Sequence, residues 1–157
     1  MAYATDTGFV RVERVTRSVS TKWKAQEKSR TPISCLEWSP AGDNLYIGFP
    51  TGRVIQFHLQ YPDGTFSPVQ LPENYGSSVV QLSASSQALL VSMEERAFLV
   101  DIKTHKLDQV GRKDRKAGPY GGFFVQDGSR AYVARPGLRL WVADSVGKVS
   151  ECASVFL

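Results

Sequence analysis

Four hairpin-like stretches recur along this chain at a nearly constant interval, and that interval limits the fold more than any other feature. The clearest runs Ala131-Tyr132-Val133-Ala134-Arg135-Pro136-Gly137-Leu138-Arg139-Leu140-Trp141, two segments rich in β-branched, aromatic and leucine residues around a Pro-Gly step. Pro-Gly punctuates a chain as a tight turn, so the stretch reads as a β-hairpin. Looser copies occupy Ala2 to Val12 around Gly8, Leu45 to Phe57 around Thr51-Gly52, and Leu89 to Val100 around Glu94-Glu95. With Gly8, Gly52, Glu95 and Gly137 as equivalent turn positions, the steps are 44, 43 and 42 residues. Four short strands per ~40 to 45 residues is the measure of one WD-repeat propeller blade.

Taken in order, the chain supplies those strands. Ala2 to Val15 reads as two strands and Val19 to Trp23 as a third, so the chain enters in the middle of a repeat. The next unit is the most legible: Ile33 to Trp38, Leu45 to Phe49, Arg53 to Leu59 and Thr65 to Leu71, with turns at Ser39 to Asn44, Thr51-Gly52 and Pro62-Asp63-Gly64. Pro68 suits the outermost strand, whose edge N–H groups are free of ladder duty. Ile33 and Cys35 occupy one face of the first strand, Leu36 and Trp38 the other, as a sheet covered on both sides requires. A third unit spans Val79 to Val110. A fourth opens at Gly121-Gly122-Phe123-Phe124-Val125 and passes through the organising hairpin to Ala143, and Lys148 to Leu157 begins its outer strand or the next blade.

The expected fold is therefore all-β, a partial WD-type β-propeller of about three to four antiparallel four-stranded blades. Residues 1–157 form a fragment of one propeller domain, with a partial blade at 1–30, blades at 31–76 and 77–117, and a truncated blade at 118–157. The run Val155-Phe156-Leu157 reads as a cut end, and this number of blades leaves open a ring that needs ~4 to 8. Ile33, Leu36, Trp38, Ile47, Val80, Leu90, Phe98, Phe124, Val133 and Leu140 are the expected core residues.

Charge and cysteine usage narrow the function. The net charge of +4 lies in residues 1–30, which hold seven Lys or Arg against Asp6, Glu13 and Glu27. Lys22 and Lys24, with Arg112, Lys113, Arg115 and Lys116 in a second basic cluster, are candidate anion contacts, because clustered cations gain affinity for phosphates and anionic lipid. A solvated blade rim is the plainer account of both segments. Cys35 and Cys152 have no close partner, so neither a zinc spacing nor a redox pair is present, and both read as buried, reduced thiols. No secretory leader or apolar run of membrane-spanning length is visible.

No catalytic constellation emerges. His58 and His105 stand alone in sequence, Glu94-Glu95 reads as a solvated hairpin tip, and Gly118-Pro119-Tyr120-Gly121-Gly122 lacks the order of a phosphate loop. There is no Gly-x-Ser-x-Gly nucleophile turn. Phe66-Ser67-Pro68-Val69 matches a loose autophagy-ligand pattern, which any β protein produces by chance, and reads as an ordinary outer strand. The expectation is a protein with no enzymatic activity, no cofactor and no metal.

Several pieces together resemble a known family. Ile33 to Pro40, Ser78 to Leu82, Leu89 to Ser92, Tyr120-Gly121-Gly122-Phe123-Phe124 and above all the block Arg135, Pro136, Gly137, Leu138, Arg139, Leu140, Trp141 are similar to the N-terminal WD-type propeller of the tectonin beta-propeller repeat-containing protein 2 family. The propeller of the Hermansky-Pudlak syndrome protein 5 family shares the layout and comes a close second; Leu138 and Leu140 favour the tectonin relative. The resemblance spans residues 1–157 and the middle of that propeller. It implies a non-catalytic cytoplasmic scaffold in autophagy and endosome/lysosome vesicle traffic, peripheral on those membranes, whose partners are trafficking and autophagy proteins and the remainder of its own propeller. Two departures stand out. The Trp-Asp pair that ends the third strand of a WD repeat is replaced by Phe57-His58, Val100-Asp101 and Trp141-Val142, and the opening Gly-His pair is missing. The alternative function is direct binding of anionic membrane or nucleic acid through the basic segments 11–30 and 103–116, with nucleic acid disfavoured.

Overall fold

The computed structural model describes residues 1–15, 20–26, 31–59, 64–71, 77–110, 118–125, 127–135, 139–144 and 149–152. None of them is helical. The first sheet is three-stranded, β1 (Ala2–Ala4), β2 (Phe9–Val15) and β3 (Ser20–Gln26), and three four-stranded sheets follow. These are β4 (Cys35–Trp38), β5 (Asn44–Gly48), β6 (Val54–His58) and β7 (Thr65–Val69); then β8 (Val79–Ala84), β9 (Ala88–Met93), β10 (Ala97–Asp101) and β11 (Leu107–Val110); then β12 (Gly121–Phe124), β13 (Arg130–Arg135), β14 (Arg139–Asp144) and β15 (Val149–Cys152). Strand order in space equals chain order in every sheet, and every pairing is antiparallel, because few residues separate each strand from its predecessor.

The turns carry their own chemistry. Gly8 and Gly52 both adopt positive φ, 73° and 85°, where a side chain would be strained, which is why glycine marks the repeat there. The turn from first to second strand is tied by a side-chain oxygen in three successive sheets. Ser39 Oγ accepts from Asn44 N at 3.0 Å, Ser85 Oγ from Ala88 N at 2.9 Å, and Asp127 Oδ1 from Ser129 N at 2.9 Å.

The first strands β4, β8 and β12 lie side by side, so the sheets share an inner side and diverge outward. One backbone bond recurs at each step: Val79 N donates to Phe49 O at 3.1 Å, and Tyr120 N to Met93 O at 3.0 Å. A separate apolar cluster fills each sheet interface. Val10, Val12, Leu45, Ile47 and Phe57 lie between the first and second sheets. Tyr46, Val54, Leu89, Val91 and Phe98 lie between the second and third, and Leu90, Leu99, Tyr120, Val133 and Trp141 between the third and fourth.

Double-sided packing explains the strand patterns. All six residues of β9 are buried, since Leu89 and Val91 face the second sheet while Ala88 and Leu90 face the fourth. In β13 burial alternates, with Ala131, Val133 and Arg135 covered and Arg130 and Ala134 exposed. Of the expected core, Ile47, Leu90, Phe98 and Val133 are fully buried, while Ile33, Leu36, Trp38 and Phe124 are half-buried. Val80 corrects the expectation: it is 36% exposed. The register against β9 shifts between Val79 and Gln81, and this bulge turns Val80 outward. The side chain of Leu140 lies outside the described residues.

Candidate functional site

Two of the sequence blocks that carry the family resemblance meet in space. Tyr120 enters the fourth sheet just ahead of β12, while Arg135 ends β13 and Trp141 lies on β14. Arg135 Nη1 donates to Tyr120 Oη at 3.0 Å, and its guanidinium stands over the Tyr120 ring, 5.2 Å from the centroid. The Tyr120 and Trp141 rings lie 5.7 Å apart, tilted by 45°. All three side chains are buried, so a cation, a phenol and an indole form one packed column at the seam of the third and fourth sheets. Pro136, Gly137 and Leu138 lie outside the described residues, as do the side chains of Arg139 and Leu140.

Along the inner side, side chains of one first strand satisfy backbone N–H groups of the next. Glu37 Oε1 accepts from Ala84 N at 3.3 Å, Gln81 Oε1 from Gly122 N at 3.2 Å, and Ser83 Oγ from Phe124 N at 3.2 Å. Burial pushes the Glu37 carboxyl above its ordinary range, and the hydrogen bond from Ala84 only partly offsets this. A carboxyl whose pKa is higher in the folded state costs stability once it ionises, and that cost vanishes as pH falls below the ordinary Glu range near ~4.3. Glu37→Gln keeps the acceptor without the charge. The urea midpoint of this variant is expected to exceed wild type at pH 7, by less than about 1 kcal/mol because water still screens a half-buried carboxylate. The two should converge at about pH 4. A less stable variant at pH 7 would show the charged hydrogen bond to dominate.

His58 and His105, isolated in sequence, line one cleft of about 500 Å³ between the second and third sheets. They are 47 residues apart, one at the end of β6 and the other just past β10, the corresponding third strands. That near-repeat spacing was the available signal. His58 Nε2 and Ser67 Oγ share a hydrogen bond of 3.0 Å. Phe66 lies on β7 with its ring 4.8 Å from that of Phe57, so Phe66 to Val69 is part of a paired outer strand. Cys35, expected from the sequence to be buried, is half-buried, and that burial still raises its thiol; the side chain of Cys152 lies outside the described residues. Lys22 and Lys24 sit on β3, but their side chains, and all of Arg112, Lys113, Arg115 and Lys116, lie outside the described residues. Among the described residues, no three His, Cys, Asp or Glu cluster as a metal site would require.

No protein-family model matches the chain. It is similar to tectonin beta-propeller repeat-containing protein 2 of Homo sapiens, 36% identical over 126 residues, covering 76% of this chain and 9% of that protein. WD repeat-containing protein CG11141 of Drosophila melanogaster is 35% identical over 140 residues, covering 83% of this chain and 19% of that protein. BLOC-2 complex member HPS5 of Homo sapiens is 29% identical over 166 residues, covering 95% and 15%. The chain thus spans less than a fifth of each of these relatives. Among solved structures, the Dos1 propeller superposes with a TM-score of 0.70 at 14% identity, over 95% of this chain and 43% of that one. The chain is part of a WD-type β-propeller. The dihydro-heme d1 dehydrogenase NirN shares this fold, with a TM-score of 0.67 at 12% identity, over 99% of this chain and 34% of that one. Both families that the sequence resembles are among the relatives. In the propeller, the positions of the missing Trp-Asp pair serve other ends: Phe57 is core, His58 lines the cleft, and Trp141 stands in the aromatic column.

Proposed function

We propose that this propeller is a non-catalytic platform for protein partners in endosome/lysosome traffic and autophagy, working in the cytoplasm and on the surface of those membranes. The observation that carries the reading is the similarity to a protein named as a member of the BLOC-2 complex, on a propeller fold. The remainder of its own propeller is the other partner. Phe123 is 58% exposed and stacks at 6.0 Å on Tyr132, on the face of the fourth sheet opposite the core, where a further blade would pack. The division into blades at 1–30, 31–76, 77–117 and 118–157 belongs to the same proposal.

The test is proximity labelling in cultured cells with the tagged chain, followed by capture from lysate at physiological and at raised salt. Enrichment of endolysosomal and autophagy proteins that survives raised salt is the expected result. Absence of protein partners, with binding to anionic vesicles or nucleic acid that collapses as salt rises, would overturn it in favour of the basic segments 11–30 and 103–116.

A further inference from the structure

The cleft that holds both histidines has a composition that selects its occupant. Its floor is apolar, formed by Leu89, Val100 and Ile102 of the third sheet, while its wall on the second sheet carries Gln56, His58 and Ser67. Among the described residues no carboxylate lines it. The nearby Asp101 is committed elsewhere: its Oδ1 accepts from Lys103 N at 2.9 Å and Thr104 N at 2.7 Å, which folds the turn that carries His105. Within that turn His105 N donates to Asp101 O at 2.9 Å. His105 is held at φ 57°, the one positive value at a non-glycine position among the described residues, and strain of this kind gathers at ligand clamps. Lys103 and Lys106 flank it at the exposed rim, where Lys106 Nζ pairs with Asp108 Oδ2 at 3.1 Å. Imidazole, amide and hydroxyl groups thus surround a greasy floor with no negative charge between them, in a volume of ordinary ligand size.

We propose that this cleft binds a short extended peptide of a partner protein through an acidic side chain set beside an aliphatic one. The carboxylate meets His58, His105 and the amide of Gln56, as a charge-assisted acceptor. The aliphatic neighbour settles on Leu89 and Val100. An extended backbone suits the site because β7, the outermost strand of its sheet among the described residues, forms one lip. The proposal rests on the platform reading above and specifies where and by what chemistry a partner is held.

The test pans a random heptapeptide phage library on the wild-type chain and, in parallel, on the His58→Ala/His105→Ala double variant. The expected consensus pairs Asp or Glu with an aliphatic residue and appears only on wild type. A fluorescein-labelled peptide of that consensus should bind the double variant at least about tenfold more weakly, as loss of one charge-assisted hydrogen bond implies. Gln56→Glu, which sets a carboxylate in the wall and keeps both imidazoles, should weaken it similarly. If the double variant loses the wild-type circular dichroism spectrum, Gln56→Glu decides alone. A neutral or basic consensus, no enrichment, or acidic peptides that bind Gln56→Glu as tightly as wild type would overturn the cleft. Partner capture by the same variants separates the two readings, because capture that persists leaves the platform standing without this site.

Discussion

Replacing Trp141 by alanine is expected to destabilise the propeller by about 3 to 5 kcal/mol. The indole is 4% exposed and belongs to the cluster between the third and fourth sheets. Removing it takes away the ring packed 5.7 Å from Tyr120, whose hydroxyl in turn accepts from the buried guanidinium of Arg135. The backbone on either side is held by Val133 across one ladder and Glu151 across the other, so the sheet cannot collapse into the gap. Trp141→Phe, which restores an aromatic face, should recover part of the loss. Urea midpoints measure both. A Trp141→Ala variant within ~0.5 kcal/mol of wild type would show the side chain to lie at the surface.

Gly122→Ala is expected to cost about 2 to 3 kcal/mol, although it adds a single methyl group. A Cβ there would stand 2.6 Å from Tyr132 O and 2.8 Å from Leu90 Cδ2. The carbonyl belongs to the strand paired with Gly122, and Leu90 is a fully buried residue of the neighbouring sheet, so relief on one side worsens the other. Its neighbour supplies the control. A Cβ on Gly121 meets only Gln81 Oε1, at 3.2 Å, the end of a flexible side chain that can give by a few tenths of an ångström and keep its bond to Gly122 N. Gly121→Ala should therefore stay within about 1 kcal/mol of wild type. Thermal or urea unfolding of the pair settles the matter, and equal losses would refute the close approach at Gly122.

These two residues also show why a motif can be legible while its reason is not. Tyr120-Gly121-Gly122 and Arg135 to Trp141 stand out in the sequence as blocks, but the column of Arg135, Tyr120 and Trp141 joins residues 15 and more positions apart across a sheet and its entry loop. The cleft is the stronger case. His58 and His105 look solitary in sequence because nothing local links them. They come to line one cleft only when one sheet packs on the next.

The sequence by itself determined the strands, their order and the repeat. Hairpins form between segments adjacent in the chain, so turn residues at Gly8, Gly52 and Glu95, with apolar runs on either side, suffice to specify them. The same runs, apolar on both parities, determined that the sheets would be covered on both faces. Tertiary structure alone decided what sits at the seams. Glu37 with Ala84, Gln81 with Gly122, and the bulge that turns Val80 outward each depend on one sheet meeting another or on one extra residue in a ladder. Such contacts join positions about one repeat apart, and no propensity or period along a single strand encodes which side chains will face each other there.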